Sequence, residues 1–292
     1  SSQGKGIFLL RDLDQLPAEQ SVVSRYVDNP LLIQGLKFDL RIYVLVTSFD
    51  PLTAYIYREG LTRFASKPYS VDRKHLDDVY RHLTNYSINK YAGNFVENQQ
   101  VGADHCGHKW SLSALNRHLK VTGVDVKLMW QRIMDLIVKT LLSVEEPIAA
   151  KTREVLEHGT CFEVYGFDVL VDDALKPWLL EVNTFPSLSS SSPFDKRVKT
   201  KLIADTLTLV GFVPFDHELV DKALKEEQTK RLQGLVPRQN GCLRSHTVQA
   251  LAAGSPAVPL RSLGEGEWRV ILDAYEETLR GGSLRRIYPT QE

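Results

Sequence analysis

Cysteine is scarce in this chain, which has three among 292 residues, at Cys106, Cys161 and Cys242. Their odd number and scattered positions exclude a disulfide framework and are typical of a reducing compartment. Long apolar runs are missing too, since no segment is long and apolar enough to span a bilayer and no signal peptide is recognisable. We therefore expect a cytoplasmic protein with no membrane partner.

An excess of charge of either sign is also missing, because 36 basic residues balance 36 acidic ones. A neutral chain has no overall field that would attract nucleic acid, so a partner must be recognised by a local patch, and we expect no nucleic-acid partner. Between residues 37 and 90, nine Lys or Arg residues stand against six Asp or Glu residues. That modest excess suits an acidic peptide, although an ordinary solvated surface has the same composition.

The most informative pattern is a predicted hairpin near residues 163–183, in which oxygen-bearing side chains share one face. With a loop at residues 173–176, Asp168 lies opposite Glu181, and Asn183 is two residues further along the same face. The opposite face is wholly apolar and is predicted to be core. Its members are Phe167, Val169, Val171, Trp178, Leu180 and Val182.

Two carboxylates that face each other across a strand pair repel, so folding alone gives no reason to choose them. A bound hard cation, which prefers oxygen ligands, would give such a reason. The pattern therefore predicts a magnesium site. The alternative is the wet face of an amphipathic hairpin. The remaining residues on that face are Gly166, Leu170 and Leu179, which favour a closed site over a solvated one.

An antiparallel meander is predicted ahead of the hairpin. Its longest strand places Lys37, Asp39 and Arg41 on one face, an arrangement that is also typical of a solvated salt-bridge ladder. The predicted strands cover residues 21–27, 35–46 and 54–57, and a turn is predicted at residues 58–60, before Arg63.

Two helices are predicted between the meander and the hairpin, and together they suggest a helical insertion at residues 111–156. The first begins at Ser111, and the second runs from about residue 126 to about residue 156 with a kink at Pro147. The expected class is α/β in the α+β sense, with an antiparallel sheet and C-terminal helices. The predicted segments are a domain at 1–214, a helix at 215–235, a disordered stretch at 236–265, and a helix with a closing segment at 266–292.

Seven short motifs occur in order along the chain. They are Gly4-Lys-Gly-Ile, Lys37-Phe-Asp-Leu-Arg41, Arg63-Phe-Ala-Ser66, His82-Leu-Thr-Asn-Tyr86, Gly166-Phe-Asp168, Leu180-Glu-Val-Asn183 and Arg286-Ile-Tyr-Pro289. Together they resemble the tubulin–tyrosine ligase-like family, whose catalytic core has the ATP-grasp fold. The stretch from Lys37 is most similar to the polyglutamylase branch, whereas Tyr57-Arg-Glu-Gly60 is close to the tyrosine ligase itself, which leaves the donor amino acid open.

The resemblance implies a role for each matching residue. Arg25, Tyr26 and Val27 are expected to support adenine, while Lys5, Lys37 and Asp39 are expected near the nucleotide. Thr84 and Asn85 are expected at the phosphates or the incoming amino acid. Arg41 and Arg63 are expected to face the γ-phosphate and the reacting carboxylates, and Asp168, Glu181 and Asn183 are expected to hold magnesium.

The function that the resemblance implies is ATP-dependent addition of glutamate to glutamate side chains of acidic tubulin tails, through an acyl-phosphate. ATP and Mg²⁺ are the expected cofactors, and the cytoskeleton, including the cilium or basal body, is the expected location. A tubulin glycine or tyrosine ligase, a small-peptide ATP-grasp ligase and a non-catalytic microtubule-binding module are the alternatives. The resemblance also implies that the first half of the fold precedes Ser1, so the isolated chain is expected to be inactive.

Overall fold

The computed structural model of the chain describes four stretches, at residues 20–98, 104–154, 161–211 and 264–290. It also describes residues 6–12 and the single positions 14, 16, 222, 225, 226, 229, 230 and 233. Lys5 and nearly all of the segments predicted at 215–235 and 236–265 lie outside the described residues. The predicted domain division stays a prediction, because its boundaries at residues 214 and 235 also lie outside them.

A seven-stranded antiparallel sheet is the centre of the described part, which confirms the predicted α+β class. Its main path runs β4-β3-β2-β5-β6, with β1 paired to β2 and β7 paired to β3. The strands are β1 (Leu32–Ile33), β2 (Leu36–Phe49), β3 (Leu52–Phe64), β4 (Lys109–Ser111), β5 (Glu163–Val171), β6 (Pro177–Asn183) and β7 (Leu284–Tyr288).

Six α-helices accompany the sheet in the described residues. They are α1 (Val79–His82), α2 (Tyr86–Asn89), α3 (Leu112–Val121), α4 (Val126–Thr152), α5 (Pro193–Val210) and α6 (Glu265–Arg280). The predicted start of α3 is confirmed, because the Ser111 hydroxyl accepts a hydrogen bond from the Ala114 N–H. Pro147 lies inside α4, and none of the described helices has the length and apolar character needed to cross a membrane.

One side of the sheet is buried against α3 and α4. Side chains of alternate residues on β2 reach opposite sides of the sheet, so its apolar residues collect on this side. The β2 members of this main core are Phe38, Leu40, Ile42, Val44 and Val46, and the α4 members include Met129, Ile133 and Ile137.

The other side of the sheet changes character along β2. Tyr43 and Leu45 are buried against α5, in a second core that includes Phe194, Val198 and Leu202. Helix α5 starts beside the sheet because Ser192 caps it, with its hydroxyl accepting from the Asp195 N–H at 3.2 Å. The preceding β2 residues on this side, Lys37, Asp39 and Arg41, form a polar half-face that α5 does not fill.

Two predictions about the meander are wrong. Residues 21–27 are not a strand, because a strand needs a hydrogen-bonded neighbour and the nearby pairing in the described part is only a bridge between Pro30 and Asp172. The predicted turn at residues 58–60 is instead a bulge inside β3. Gly60 pairs with Ile42 and Ile56 pairs with Val44, so three β3 residues stand opposite one β2 residue.

The hairpin is correct in its central register but not along its whole length. Asp168 pairs with Glu181 as predicted, but Val169 then pairs with Leu179. The bulge leaves Leu180 out of the alternation, so it is half exposed instead of belonging to the core. Trp178 pairs with Leu170, and its indole N–H donates to Asp172 at 2.9 Å. The predicted closed face is therefore open along the described edge strand β6.

The bulge at Gly60 generates a stability prediction. A Cβ on Gly60 would lie 2.5 Å from the Arg41 carbonyl oxygen and 2.8 Å from Leu112 Cδ1. We expect Gly60→Ala to lower the free energy of unfolding by about 2 kcal/mol, because backbone cannot yield without disturbing the strand pair. The matched control is Gly93→Ala, whose added Cβ has no atom within 4 Å. Urea unfolding of both variants is the measurement. Equal losses in the free energy of unfolding for Gly60→Ala and Gly93→Ala would contradict the close backbone contact at the bulge.

Candidate functional site

Arg41 and Asp168 form the first half of a charged network on the polar half-face. The register of β2 and β5 places these two residues directly opposite each other. Arg41 Nε donates to Asp168 Oδ1 at 2.5 Å, and Nη2 donates to Oδ2 at 3.0 Å. This is a two-pronged contact between a planar guanidinium and a carboxylate, which fixes both side chains in orientation as well as distance.

Arg63 joins this pair to a second carboxylate. It faces Asp39 across β2 and β3, and its Nε donates to Asp39 Oδ1 at 2.7 Å. Its Nη2 donates to Asp39 Oδ2 at 2.5 Å and to Asp168 Oδ2 at 2.8 Å. Thr84 completes the group, since its hydroxyl donates to Asp39 Oδ2 at 2.7 Å. Residues from three strands and from the segment before α2 are thus held in one hydrogen-bonded unit.

Burial makes the charges in this network depend on one another. The side chains of Arg41 and Arg63 are 13% and 11% exposed, and that of Asp168 is 2% exposed. Burial alone would raise the pKa of Asp168, but the Arg63 and Arg41 guanidiniums hold it below its usual range. Burial likewise would lower the pKa of Arg63, yet the Asp39 and Asp168 carboxylates raise it. Asp168 and Arg63 therefore stay ionised.

Glycine at position 166 allows Arg41 to take this path. Gly166 stands on β5, two residues before Asp168, and an added Cβ would lie 3.3 Å from Arg41 Cδ and 2.9 Å from Pro186 Cβ. The Arg41 side chain therefore passes across a residue that has no side chain. The Gly-Phe-Asp motif thus has a physical basis, because its glycine makes room for the guanidinium that its aspartate binds.

The predicted metal ligands lie beside this network. Glu181 is opposite Asp168, and Asn183 is opposite Gly166, so the three predicted ligands share one face as expected. Asn183 Nδ2 donates to Glu181 Oε1 at 3.1 Å and to the Gly166 carbonyl at 3.3 Å. Two carboxylates and an amide oxygen suit a hard cation such as Mg²⁺. Asp168 Oδ1 keeps a lone pair beyond its contact with Arg41, whereas Oδ2 already accepts from both arginines.

The magnesium assignment stays a prediction. Within the described part of the chain, no group of three or more His, Cys, Asp or Glu residues is placed to hold a metal ion. The set formed by Asp168, Glu181 and Asn183 has two such residues and one amide, so it depends on further oxygen donors, such as phosphates, to complete a coordination shell.

The residues predicted to bind the nucleotide are only partly brought together. Tyr26 OH and His82 Nδ1 are 2.9 Å apart, and Lys37 Nζ donates to Tyr26 OH at 3.2 Å. The same ammonium lies 4.5 Å from the centre of the Tyr26 ring. Burial lowers the pKa of Lys37 to about 8, although Asp39 partly opposes this shift.

The other predicted nucleotide ligands are placed less closely. Arg25 is exposed, and Val27 is half-buried. Asn85 flanks α2, where its carbonyl accepts from the Ile88 and Asn89 N–H groups, and its side chain caps no N–H. The roles of these three residues stay predictions.

Asn89 is not among the predicted site residues, yet it anchors the segment that carries Thr84. Its Oδ1 accepts from the Ser66 N–H and hydroxyl, and its Nδ2 donates to the Leu83 and Asn85 carbonyls. This buried amide fastens the end of β3 to the segment that carries Thr84. A polar residue at the end of a short polar helix gives no periodic signal, so only the tertiary contacts reveal its role.

A second missed group lies beside Arg41, and we name it the lysine cluster: Lys109, Asp195 and Lys199. Lys109 Nζ donates to Asp195 Oδ2 at 2.7 Å and to Ser191 Oγ at 3.2 Å. All three residues are buried. They lie on β4 and α5, which are far apart in sequence, so no local pattern could have linked them. Asp195 also lies in the first turn of α5, where the helix dipole favours an acidic residue, so its position alone did not indicate a site.

The site is therefore a buried arginine–carboxylate network on one side of an antiparallel sheet. The model of the tubulin-tyrosine ligase family matches residues 1–219, and the chain belongs to that family. The resemblance stated from the motifs is thereby confirmed.

Three relatives illustrate the similarity. Tubulin polyglutamylase TTLL5 of Mus musculus is 39% identical over 309 residues, covering 100% of this chain and 23% of that protein. Tubulin polyglutamylase ttll-5 of Caenorhabditis elegans is 51% identical over 224 residues, covering 76% of this chain and 31% of that protein. Tubulin monoglutamylase TTLL4 of Homo sapiens is 45% identical over 215 residues, covering 73% of this chain and 18% of that protein. The chain therefore spans less than a third of each of these relatives.

The network generates a second stability prediction. Arg63→Met leaves Asp39 and Asp168 buried without their shared cation, and we expect a loss of about 3–5 kcal/mol in the free energy of unfolding at neutral pH. The control is Arg117→Met, which removes a 2.7 Å pair with Asp104 where the arginine side chain is 61% exposed. That change should cost less than about 1 kcal/mol.

The loss from Arg63→Met should depend on pH. The lowered pKa of Asp168 means that its contribution to wild-type stability is present above its unfolded pKa and is lost as the pH falls through the folded value. In the variant, Asp168 keeps only Arg41 as its cation and Asp39 loses its ion pair, so acid relieves the repulsion between these carboxylates. We measure urea unfolding of the wild type and of Arg63→Met at about pH 7.5 and about pH 5. The difference between their free energies of unfolding should be smaller at about pH 5. A gap that widens in acid would contradict this charge assignment.

Proposed function

We propose that this chain is part of an ATP-dependent carboxylate–amine ligase that adds glutamate to glutamate side chains of tubulin tails. The observation that carries the proposal is the buried Arg41–Asp168–Arg63 network, which lies beside Asn183 and the exposed Glu181 on one face of the sheet. The names of the relatives support tubulin as the acceptor and glutamate as the donor.

The chemistry must first activate an unreactive carboxylate, whose direct leaving group in amide formation would be oxide. A carboxylate oxygen of the acceptor bonds to the γ-phosphorus of ATP, the bond from that phosphorus to the bridging oxygen breaks, and ADP leaves. The α-amino nitrogen of the free amino acid then bonds to the acyl carbon, and the carbon–oxygen bond to phosphate breaks. Phosphate leaves, and the surplus proton passes to solvent.

Both steps bring anions together, so positioning and charge neutralisation are the main tasks of the protein. Arg41 and Arg63 are already oriented by Asp168 and Asp39, which means that their guanidiniums need little rearrangement to receive an anion. In this proposal they face the γ-phosphate and the reacting carboxylate. Thr84 keeps Asp39 in place and lies within reach of the same phosphates.

Asp168, Glu181 and Asn183 would hold the magnesium ion that accompanies ATP. When bound, the ion supplies neutralisation of the phosphate charges. Lys37 and Tyr26 form the nucleotide end of the half-face, and Lys5, Arg25, Val27 and Asn85 are the further nucleotide ligands that this proposal includes. The acidic tail of tubulin and free glutamate are the proposed partners, and the cytoskeleton, more narrowly the cilium or basal body, is the proposed location.

The test is incorporation of labelled glutamate into tubulin by the full-length protein, compared with glycine and tyrosine under the same conditions. We expect ATP-dependent incorporation of glutamate. Incorporation into free glutamyl compounds but not into tubulin would favour a small-peptide ligase. Microtubule binding without ATP consumption would favour a non-catalytic module. Preference for glycine or tyrosine would overturn the assigned donor.

Arg63→Lys tests the role of the planar guanidinium. Lysine offers a point charge that cannot contact Asp39 and Asp168 as a fork, so we expect kcat to fall by on the order of 10²-fold. The KM for ATP should change little if the residue acts in the transition state. A rise confined to that KM would show that Arg63 only binds the ground state. Circular dichroism must confirm that the variant is folded.

Glu181→Gln tests the metal assignment. Glu181 is exposed, so the neutral isostere should keep the fold while weakening ligation of a hard cation. We expect activity at ordinary magnesium to fall at least about tenfold and to recover partly as magnesium is raised. Asp135→Asn is the control, since it removes an exposed acid that pairs with Lys139 on α4. Wild-type turnover of Glu181→Gln at ordinary magnesium would remove this residue from the metal site.

A further inference from the structure

Lys199 is a buried cation that the proposed reaction has not yet used. It lies on α5 and is 8% exposed, and its Nζ donates to the Ser189 carbonyl at 2.5 Å. Among the described residues it has no carboxylate in ion-pair contact, because Asp195 is bound to Lys109. A lysine is almost never buried without a countercharge, so we expect an anion to bind beside Lys199.

The balance of charge on this face points the same way. Five cations and three carboxylates are buried or nearly buried there, an excess of two positive charges. The cations are Lys37, Arg41, Arg63, Lys109 and Lys199, and the carboxylates are Asp39, Asp168 and Asp195. Burial lowers the pKa of Lys199, Asp195 partly opposes this, and Lys109 and Arg41 lower it further. A bound anion would relieve both the repulsion and the cost of burial.

Two polar atoms nearby also lack partners in the described part of the chain. The Tyr43 hydroxyl and Asp195 Oδ1 are buried and make no hydrogen bond. Such atoms are rare in folded proteins and are commonly satisfied by a ligand or water. The segment above them, residues 184–191, is mostly exposed and touches Lys199 and Lys109 through Ser189 and Ser191. A carboxylate that replaces the Ser189 carbonyl on Lys199 would free this segment to admit it.

The position of Lys199 separates it from the nucleotide. Along β2, Lys37 stands at the nucleotide end of the polar half-face and Tyr43 stands at the α5 end. Six residues at about 3.3 Å per residue place them about 20 Å apart, with Arg41 between them. The order along the strand is therefore nucleotide, reaction centre and lysine cluster. With Lys37 and Tyr26 at the nucleotide, as proposed, an anion at the cluster belongs to a different molecule, on the far side of the reacting carboxylate.

We propose that Lys199 binds the side-chain carboxylate of the free amino acid and thereby selects glutamate as the donor. This inference rests on the proposed ligase function. The donor is favoured over the acceptor because Lys199 and Lys109 are buried beneath a loop, where a free amino acid fits more readily than a side chain on a bulky protein. A donor without a second carboxylate would leave Lys199 buried and unpaired, which is the physical basis of the selectivity.

The experiment compares Lys199→Met with Lys201→Met in the full-length protein. Lys201 is exposed and lies on the same helix, so it controls for the loss of a lysine from α5. Initial rates are measured with glutamate and with glutamine, its neutral isostere, as donors. For Lys199→Met we expect the KM for glutamate to rise about ten- to hundredfold and the preference for glutamate over glutamine to collapse. Lys201→Met should match the wild type.

A charge-conserving variant, the KM values and an unfolding control complete the test of Lys199. Lys199→Arg keeps the charge and should retain a preference for glutamate, whereas loss of preference there would overturn the proposal. An unchanged KM for glutamate in Lys199→Met, or a rise only in the KM for tubulin, would also overturn it. Urea unfolding should show that Lys199→Met is folded, because it removes one of the excess buried cations.

The proposed function has its own separate readout. The wild-type protein with ATP and tubulin, but without a donor, should form an acyl-phosphate that hydroxylamine traps as a hydroxamate. A wild-type protein that forms no hydroxamate and incorporates no amino acid would refute the ligase function, and the donor assignment with it. Trapping in the wild type together with unchanged donor selectivity in Lys199→Met would refute only the role of Lys199.

Discussion

The contact on which the site depends is the bridge that Arg63 makes between Asp39 and Asp168. These carboxylates belong to β2 and β5, and without a shared cation they would repel each other in a place that excludes water. Arg41 binds Asp168 from the other side, so cations and anions alternate through the network. Removal of any charged member leaves a buried charge uncompensated, which is why the strands, the segment carrying Thr84 and the two guanidiniums form one unit.

The sheet can hold this network because its two sides differ: one is an apolar core and the other is partly polar. The alternation of β2 sends apolar residues to α3 and α4, and that core fixes the strands against which the charged residues are aligned. On the other side, α5 covers only the part near Tyr43 and Leu45. The remaining half-face is polar and buried, and the bare backbone at Gly166 leaves room for the Arg41 side chain.

The lysine cluster extends the same electrostatic logic beyond the network. Asp39 and Asp168 orient the arginines without neutralising all the cations, and Asp195 pairs with Lys109 but not with Lys199. The surplus positive charge therefore lies on Lys199 at the α5 end of the half-face and on Lys37 at its other end. In the proposed function such a surplus favours binding, because each proposed substrate brings negative charge into a space with little water.

The sequence by itself determined the α+β class, the family, the faces of β2 and the register that places Asp168 opposite Glu181. Each of these follows from local alternation or from motifs with fixed spacing. Only the tertiary structure decided that the face with Lys37, Asp39 and Arg41 is a buried network instead of a solvated ladder, and that residues 58–60 are a bulge. It also decided that Lys109 pairs with Asp195 while Lys199 is buried near them without an ion pair. Those outcomes depend on contacts between residues far apart in the chain, where burial and charge compensation have no local signature.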